Sequence, residues 1–372
     1  MTSPTHPIAH DVVVIGAGQA GLAAGYHLQR RGLDFAILEA SARIGDVWRN
    51  RYDSLLLYSP ARDDALPGLP FPDIGARFPT GRQMADYLET YADRLGLPVQ
   101  TGSPATSLRG GPTDGYLVEV GGATHHARQV IVATGAFQRP WVAPFAAELD
   151  PRIIQVHAAD YRNPGQLSDG PVLVVGVSHS GSDVAFELAA SRRTYLSGKS
   201  HGQLPVPIDS RRGRLVWPVV KFLARHVLTL RTPIGRKMAP LVRHGGGPLL
   251  RHRRQELLSA GVVWHQARTV GVRDGKPLLD DGQVLDVASV VWCTGYRPAY
   301  GWIDLPVLDE DGWPVIDRGA ALAAPGVWFL GVPFLSGITS MLVLGAGHDA
   351  EMVVRQVAAR VGRPALQEAL TG

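Results

Sequence analysis

The chain has 372 residues, more than one domain usually holds, so two domains, or one inserted in another, are expected. Its 45% hydrophobic and 19% charged residues suit an ordinary globule with ample core, and a net charge of +4 marks no overall polyanion or polycation binder. The single cysteine, Cys293, excludes a disulfide framework, a CxxC redox pair and a multi-cysteine metal site, and it favours a reducing, cytoplasmic setting.

The first ten residues, MTSPTHPIAH, lack the basic start and long apolar stretch of a signal peptide. A soluble chain without a transmembrane segment is expected. The stretch DVVVIGAGQAGLAAGYHLQRRGLDFAILEA, residues 11–40, predicts a strand at Val12–Ile15, a tight turn, an Ala/Gly/Leu helix and a second strand at Phe35–Leu38. Gly16, Gly18 and Gly21 have the spacing of a dinucleotide-binding turn, with Gln19 and Ala20 inside it. Eighteen positions beyond Gly21, at the strand end, Glu39 is placed to accept hydrogen bonds from a ribose 2′-hydroxyl.

A Pro-rich loop at 58–76 follows, irregular enough for a pocket wall. The run Val130–Val132 leads into Ala133-Thr134-Gly135. Residues 172–185, VLVVGVSHSGSDVA, then repeat the first motif with serine for its middle glycine: Gly176, Ser178, Ser180 and Gly181. A shift of 160 lays Gly16 on Gly176, Gly21 on Gly181 and Phe35 on Tyr195, and carries Val130–Gly135 onto Val290–Gly295. Two strand-plus-Thr-Gly elements recurring at one offset indicate an internal repeat of two Rossmann-like βαβ units.

The same shift sets Lys199 against Glu39, and a cation there suits a 2′-phosphate, with His201 and Arg193 close in sequence. The repeat therefore predicts FAD at the first turn and NADPH at the second, with NADH the alternative donor. Ser178 loosens the backbone approach to the pyrophosphate, as an exchangeable cosubstrate tolerates.

Residues 191–260 hold twelve Arg and three Lys against Asp209 and Glu256, which is read as a solvated basic face. No aromatic interleaving or zinc-finger spacing supports nucleic acid, so no nucleic-acid partner is expected. Within the insert 203–260, Pro218 is expected to limit any continuous helix across 214–230. That segment suits a lid over the substrate, a contact in a homodimer or a membrane-surface stretch, and the favoured reading packs it on its own domain.

IGDVWRNRYDSLLLYSP at 44–60 resembles the GGxW-R-x-RYD region of flavin-containing monooxygenases, and FPTGRQMADYLETYA at 78–92 resembles their following helix. CTGYRP at 293–298 is similar to their ATGY(R/K)P element, and GVWFLGVPFLSGITSMLVLGAGHDAE at 326–351 to their closing flavin segment. The resemblance covers nearly the whole chain and points to class B flavoprotein monooxygenases, nearest the short bacterial members.

It implies an α/β fold of two Rossmann-like dinucleotide-binding domains, the NADPH domain inserted in the FAD domain: 8–165 and 291–372 for FAD, 166–290 for NAD(P)H. Gly16, Gly18, Gln19, Ala20, Gly21, Glu39, Ala105, Gly135 and Met341 would line the FAD, with Val47, Trp48 and Arg49 along the flavin. Gly176, Ser178, Ser180, Gly181 and Lys199 would take NADPH, and Tyr296 and Arg297 would lie at the domain junction. A helix starting beyond Met341 would aim its N-terminus at the flavin.

Three departures stand out. The inter-domain fingerprint FxGxxxHxxxY is here PRIIQVHAADY, residues 151–161, keeping His157 and Tyr161 but with Pro151 and Ile153 for the aromatic and the glycine. Asp46 replaces the second glycine of GGxW, and Tyr58 stands where many members carry an asparagine near the flavin. Tyr58 and His157 are the catalytic candidates, Tyr58 as a polar or apolar contact at the flavin edge and His157 as a linker-positioning group.

The implied reaction uses NADPH to reduce the flavin, dioxygen to form a C4a-(hydro)peroxide, and transfer of one oxygen to nitrogen or sulfur of a small molecule, or to a ketone. An NADPH oxidase or non-oxygenating reductase is the alternative, and a flavin-bearing redox sensor a second. Disulfide reductase chemistry of the thioredoxin-reductase type, which also pairs two such domains, is excluded by the lone Cys293.

Overall fold

The computed structural model describes residues 8–75, 77–204, 206, 208 and 210–362. Most of the opening decapeptide and the last ten residues of the expected third segment therefore lie outside the described residues. The chain opens with β1 (Ile8–Ile15), α1 (Gln19–Gln29) and β2 (Phe35–Leu38), the predicted strand, turn, helix and strand. A short α2 (Asp46–Arg49) and the loop through 58–76 lead to α3 (Gly81–Leu95). Thr80 and Gln83 form a reciprocal capping box at its start, and Gly96 in the left-handed region ends it.

Next come β3 (Val99–Gln100), β4 (Ala105–Gly111), β5 (Gly115–Val120) and β6 (Ala123–Val132). A two-residue strand β7 (Arg139–Pro140) precedes β8 (Ile154–His157), β9 (Val172–Val175), α4 (His179–Ala189) and β10 (Thr194–Ser197). The insert supplies α5 (Arg211–His226), α6 (Pro233–His244) and α7 (Arg254–Ser259) before β11 (Val263–His265). After the β12 (Thr269–Arg273) and β13 (Lys276–Leu279) hairpin the chain returns through β14 (Ser289–Trp292) and β15 (Tyr296–Arg297). It closes with β16 (Ile316–Asp317), β17 (Ala320–Ala321), β18 (Val327–Phe329) and α8 (Val343–Val361).

The larger sheet runs β16-β17-β18-β6-β1-β2-β3, with β5 and β4 hung from β6, and its centre is parallel. The smaller sheet, β11-β10-β9-β14-β8, is parallel throughout. Both central strands, VVVI of β1 and VLVV of β9, are buried on both faces, as continuous apolar runs in parallel sheets should be.

Two expectations are corrected here. The strand β8 pairs with β14 in the smaller sheet, and β14 itself runs to Trp292. The second unit thus begins before residue 166 and ends beyond 290, because the PRIIQVHAADY segment contributes an edge strand. The repeat also loses one residue between α4 and β10: Ile15 pairs with Leu38, whereas Val175, its partner at a shift of 160, pairs with Ser197. The structural counterpart of Glu39 is therefore Gly198, and Lys199 is the next residue on.

Candidate active site

The first turn is built to bring backbone close. Gly16 follows β1 at φ +106°, and a Cβ there would lie 2.7 Å from the Ala133 carbonyl oxygen. A Cβ on Gly21 would sit 1.9 Å from the Gly16 carbonyl oxygen, so both positions are restricted to glycine. In front of Gly18, the cap of α1, nothing approaches within 4 Å of a Cβ position. Gln19 and Ala20 open the helix at this clear space.

Glu39 accepts from Ala17 N at 2.8 Å through Oε2 and from Ser41 N at 2.8 Å through Oε1, tying the turn to the end of β2. Ser103 N donates to the Glu39 carbonyl, which brings Ala105, two residues on, to the same corner. Gly331 at φ +70° joins this group unforeseen: a Cβ on it would lie 3.3 Å from Ala20 Cβ and 3.7 Å from Gly135 Cα. Met341 is half-buried immediately ahead of Leu342, the cap of α8.

The second turn repeats the backbone. Gly176 has φ +106°, and a Cβ on Gly181 would again lie 1.9 Å from the carbonyl oxygen of its partner glycine, Gly176. Its furnishing differs. Ser178 Oγ donates to Gly247 O at 3.2 Å, and the Gly245–Gly247 segment lies over the turn so tightly that a Cβ on Gly247 would meet the His179 ring at 2.7 Å. Ser180 lies in the first turn of α4. Lys199 is exposed and makes no hydrogen bond or ion pair among the described residues, and Gly198 leaves the counterpart of the Glu39 side chain empty.

Between the two turns the units meet. Trp48, on α2, packs on the cores of both, and its buried Nε1 has no partner among the described residues. Of its neighbours, Val47 is 52% exposed, and Arg49 bonds to Asp86 at 3.1 Å, Glu89 at 2.9 Å and the Ile44 carbonyl. Arg49 is a strut between α2 and α3, because carboxylates one turn apart on α3 capture its fork.

Tyr58 Oη donates to Asp183 Oδ2 at 2.7 Å, and Tyr52 Oη donates to the same oxygen at 3.1 Å. Asp183 is on α4, so the loop of the first unit is bonded to the second. Its other oxygen, Oδ1, faces His252 Nε2 at 3.8 Å. Burial raises the Asp183 pKa despite the tyrosine donors, and burial with the adjacent carboxylate raises those of Tyr52 and Tyr58 well above their usual value. The His179 ring lies tilted 4.8 Å from the Tyr58 ring, its pKa pushed down to about 4 by burial. Sequence reasoning missed Asp183, Tyr52 and His252; an acid two residues beyond Gly181, opening a largely apolar helix stretch, was the available signal.

His157 uses both nitrogens locally: Ala159 N donates to Nδ1 at 3.0 Å, and Nε2 donates to Gly295 O at 3.1 Å. Burial lowers its pKa and keeps the ring neutral. It thus holds the end of β8 to the returning linker. In that linker β15 pairs with β7, so the two connections between units run as one antiparallel ribbon. Arg51 Nη1 donates to Tyr296 Oη at 2.5 Å and lies between the rings of Tyr296 and Phe137, and Arg297 stacks on Trp141.

The insert corrects two further expectations. α5 is one continuous helix with Pro218 inside it, and α6 likewise contains Pro240. Anchors on either side carry α5 through the lost hydrogen bond: Trp217 Nε1 and Lys221 Nζ each donate at 2.7 Å to Asp63, lowering its pKa. The segment also packs on the opposite unit rather than its own. Besides Asp63, Arg225 reaches Leu344 O in the first turn of α8, and Leu230 N donates to Ser336 O.

Comparison with known proteins gives the following. Residues 13–201 match the pyridine nucleotide-disulphide oxidoreductase family. An uncharacterized oxidoreductase, CzcO-like, of Geobacillus kaustophilus is 36% identical, covering 93% of this chain and 98% of its own. The probable indole-3-pyruvate monooxygenase YUCCA3 of Arabidopsis thaliana is 29% identical over 94% of this chain and 86% of its own. A solved flavin-containing monooxygenase from Stenotrophomonas maltophilia superposes with a TM-score of 0.75 at 28% identity, covering 95% of this chain and 99% of that one.

Proposed function

The chain belongs to the pyridine nucleotide-disulphide oxidoreductase family, and within it to the class B flavoprotein monooxygenases; from that premise we propose an FAD enzyme that consumes NADPH and oxygenates a small molecule at nitrogen or sulfur, or a ketone. The observation that carries this reading is the twinned turn, two parallel sheets each with a glycine whose Cβ would lie 1.9 Å from its partner's carbonyl. Two such units in one chain suit two dinucleotides.

The first turn fits FAD. Clear space at Gly18 ahead of the α1 N-terminus suits a pyrophosphate, Glu39 keeps lone pairs for a ribose hydroxyl, and the unpartnered Trp48 Nε1 offers a donor to a flavin edge. Gly176, Ser178, Ser180 and Gly181 would receive NADPH, with the Gly245–Gly247 segment displaced. Lys199 would meet the 2′-phosphate, which Gly198 leaves free of the acidic side chain present in the first unit. The FAD domain would comprise about 8–153 and 293–372, the NADPH domain the chain between.

Bound flavin supplies the redox chemistry, taking hydride from the nicotinamide and passing one oxygen atom of dioxygen to the substrate. The chain's residues position and seal. Tyr58 donates a hydrogen bond to Asp183, closing the loop of the first unit on α4. His157 and Arg51 fix the linkers, and α5 roofs the 58–76 loop through Asp63, a placement that excludes water.

Tyr58 also supports the rival reading, an NADPH oxidase, because its hydroxyl is committed to Asp183 at the place where the family resemblance implies an asparagine in many members. Parallel measurement of NADPH consumption, oxygen uptake and peroxide release with thioethers, tertiary amines and ketones separates the two. Oxygenated product with peroxide well below NADPH consumed is expected. Stoichiometric peroxide with every substrate would establish the oxidase.

A further inference from the structure

Among the described residues, the insert leaves one face without a partner. On α5, Leu215, Val219, Phe222 and His226 recur at i, i+4, i+7 and i+11, so they share one stripe. An amphipathic helix ordinarily buries such a stripe, yet Leu215 is 80% exposed and Val219 and Phe222 are each 57% exposed. The inward side is instead the one carrying Trp217, with Lys221 and Arg225 bonded to the first unit. On α6, Ile234 and Leu241 share a stripe with Lys237 between them, and both apolar side chains are more than half exposed. Neither stripe is needed for the docking of the insert, so burial within this fold does not account for them.

Charge surrounds these stripes. Residues 210–255 contain twelve Lys or Arg and no Asp or Glu. Among the described residues, Arg211, Arg212, Arg214, Arg231, Arg236 and Lys237 have no acidic partner. Exposed apolar side chains flanked by unpaired cations, on helices too short and polar to cross a bilayer, match the interfacial mode of membrane binding.

We propose that the α5–α6 hairpin docks this protein on an anionic lipid surface, its apolar stripes entering the headgroup boundary and its arginines facing lipid phosphates. Charge complementarity selects this occupant. A second copy would set like charges against each other, and nucleic acid would leave Leu215, Val219 and Phe222 uncovered. The consequence is placement: α5 also clasps Asp63 of the 58–76 loop, so the membrane-facing hairpin roofs the segment expected to wall the substrate pocket.

The test is vesicle flotation of the full-length flavin-loaded chain, with phosphatidylcholine vesicles that either contain or lack about one third phosphatidylglycerol. Binding to the anionic vesicles is expected, falling more than tenfold from low to high salt as surface charge is screened. Leu215→Ser with Phe222→Ser should weaken it by roughly tenfold per side chain. Arg211→Gln with Arg212→Gln should cost about fivefold per charge. All four positions are exposed, so unchanged flavin content and melting temperature verify the fold. Equal binding to neutral vesicles, or none to anionic ones, overturns the proposal. Dimerisation abolished by Phe222→Ser without vesicle binding also overturns it and assigns the surface to a second copy. The readout is binding rather than turnover, so it stands or falls separately from oxygenation.

Discussion

The turns at Gly16–Gly21 and Gly176–Gly181 share their backbone to the point that the same glycine Cβ would strike the same carbonyl at 1.9 Å, yet what stands before them differs. Gly18 faces clear space, and Glu39 braces its corner through two backbone N–H groups. Ser178 is bonded to Gly247 under a triglycine segment, and the bracing acid is replaced by Gly198. One fold element thus serves two regimes: an open, braced turn suits a ligand held through many turnovers, and a roofed, unbraced one suits a ligand that must enter and leave.

The strongest way to break that contrast is at the shared glycines. Gly21→Ala forces the Gly16 carbonyl aside, and we expect insoluble protein or loss of flavin absorbance, a cost above about 4 kcal/mol. Gly181→Ala meets the same clash in the smaller sheet, and should keep its flavin while losing NADPH-dependent turnover. Joint loss of flavin would show that the units do not hold their ligands independently.

The buried acids sharpen the comparison next. Asp64, within the first unit, is fully buried with only Ser59 bonded to it, and burial pushes its pKa up to about 8. The unfolded carboxyl titrates near 3.8, so the folded state holds a proton that the unfolded state releases, and stability falls as pH rises between those values. Asp64→Asn should therefore stabilise the fold more at pH 8 than at pH 5, by a ceiling of about 4 kcal/mol, read as a larger rise in melting temperature at pH 8. An equal gain at both pH values would refute a buried neutral acid.

Asp183, where the units meet, is served by two tyrosines instead. Asp183→Ala leaves two buried hydroxyls without an acceptor and should cost about 2–4 kcal/mol by denaturant titration. The same variant should raise KM for NADPH more than it lowers kcat. A stability loss with unchanged KM would confine Asp183 to packing.

Smaller effects test the cofactor preference. Lys199→Glu should raise KM for NADPH by roughly 30-fold, about 2 kcal/mol, and leave NADH within threefold. Loss for both donors alike would remove Lys199 from 2′-phosphate recognition. Ser178→Gly copies the first turn and releases the bond to Gly247, so NADPH affinity should tighten by about threefold. A weaker affinity would make the serine hydroxyl a ligand to NADPH rather than a tether.

Much of this was legible in the chain. Glycine spacing beside apolar runs locates β1, α1, β9 and α4, since tight turns leave few residue choices. The offset of 160 failed by one residue at β10 because the loop between α4 and β10 is one residue shorter, and no local pattern records a deletion in a surface turn. Pro218 misled because tertiary anchors at Trp217 and Lys221 outweigh one lost hydrogen bond. Asp183 was missed, and the acidic partners of Arg49 were not foreseen, for a common reason: side-chain partners lie 125 and 40 residues away, at distances that periodicity does not reach.

The pairing of Arg139–Pro140 with Tyr296–Arg297 has a mechanical meaning. Two separate tethers would let one unit swing freely over the other, whereas two strands laced side by side behave as a single hinge with one soft torsional axis. Rotation about it would strain the Tyr58–Asp183 hydrogen bond, which joins the loop of the first unit to α4. The two units would then open along one spine, and the triglycine segment would travel with the unit that carries Gly176 and Gly181.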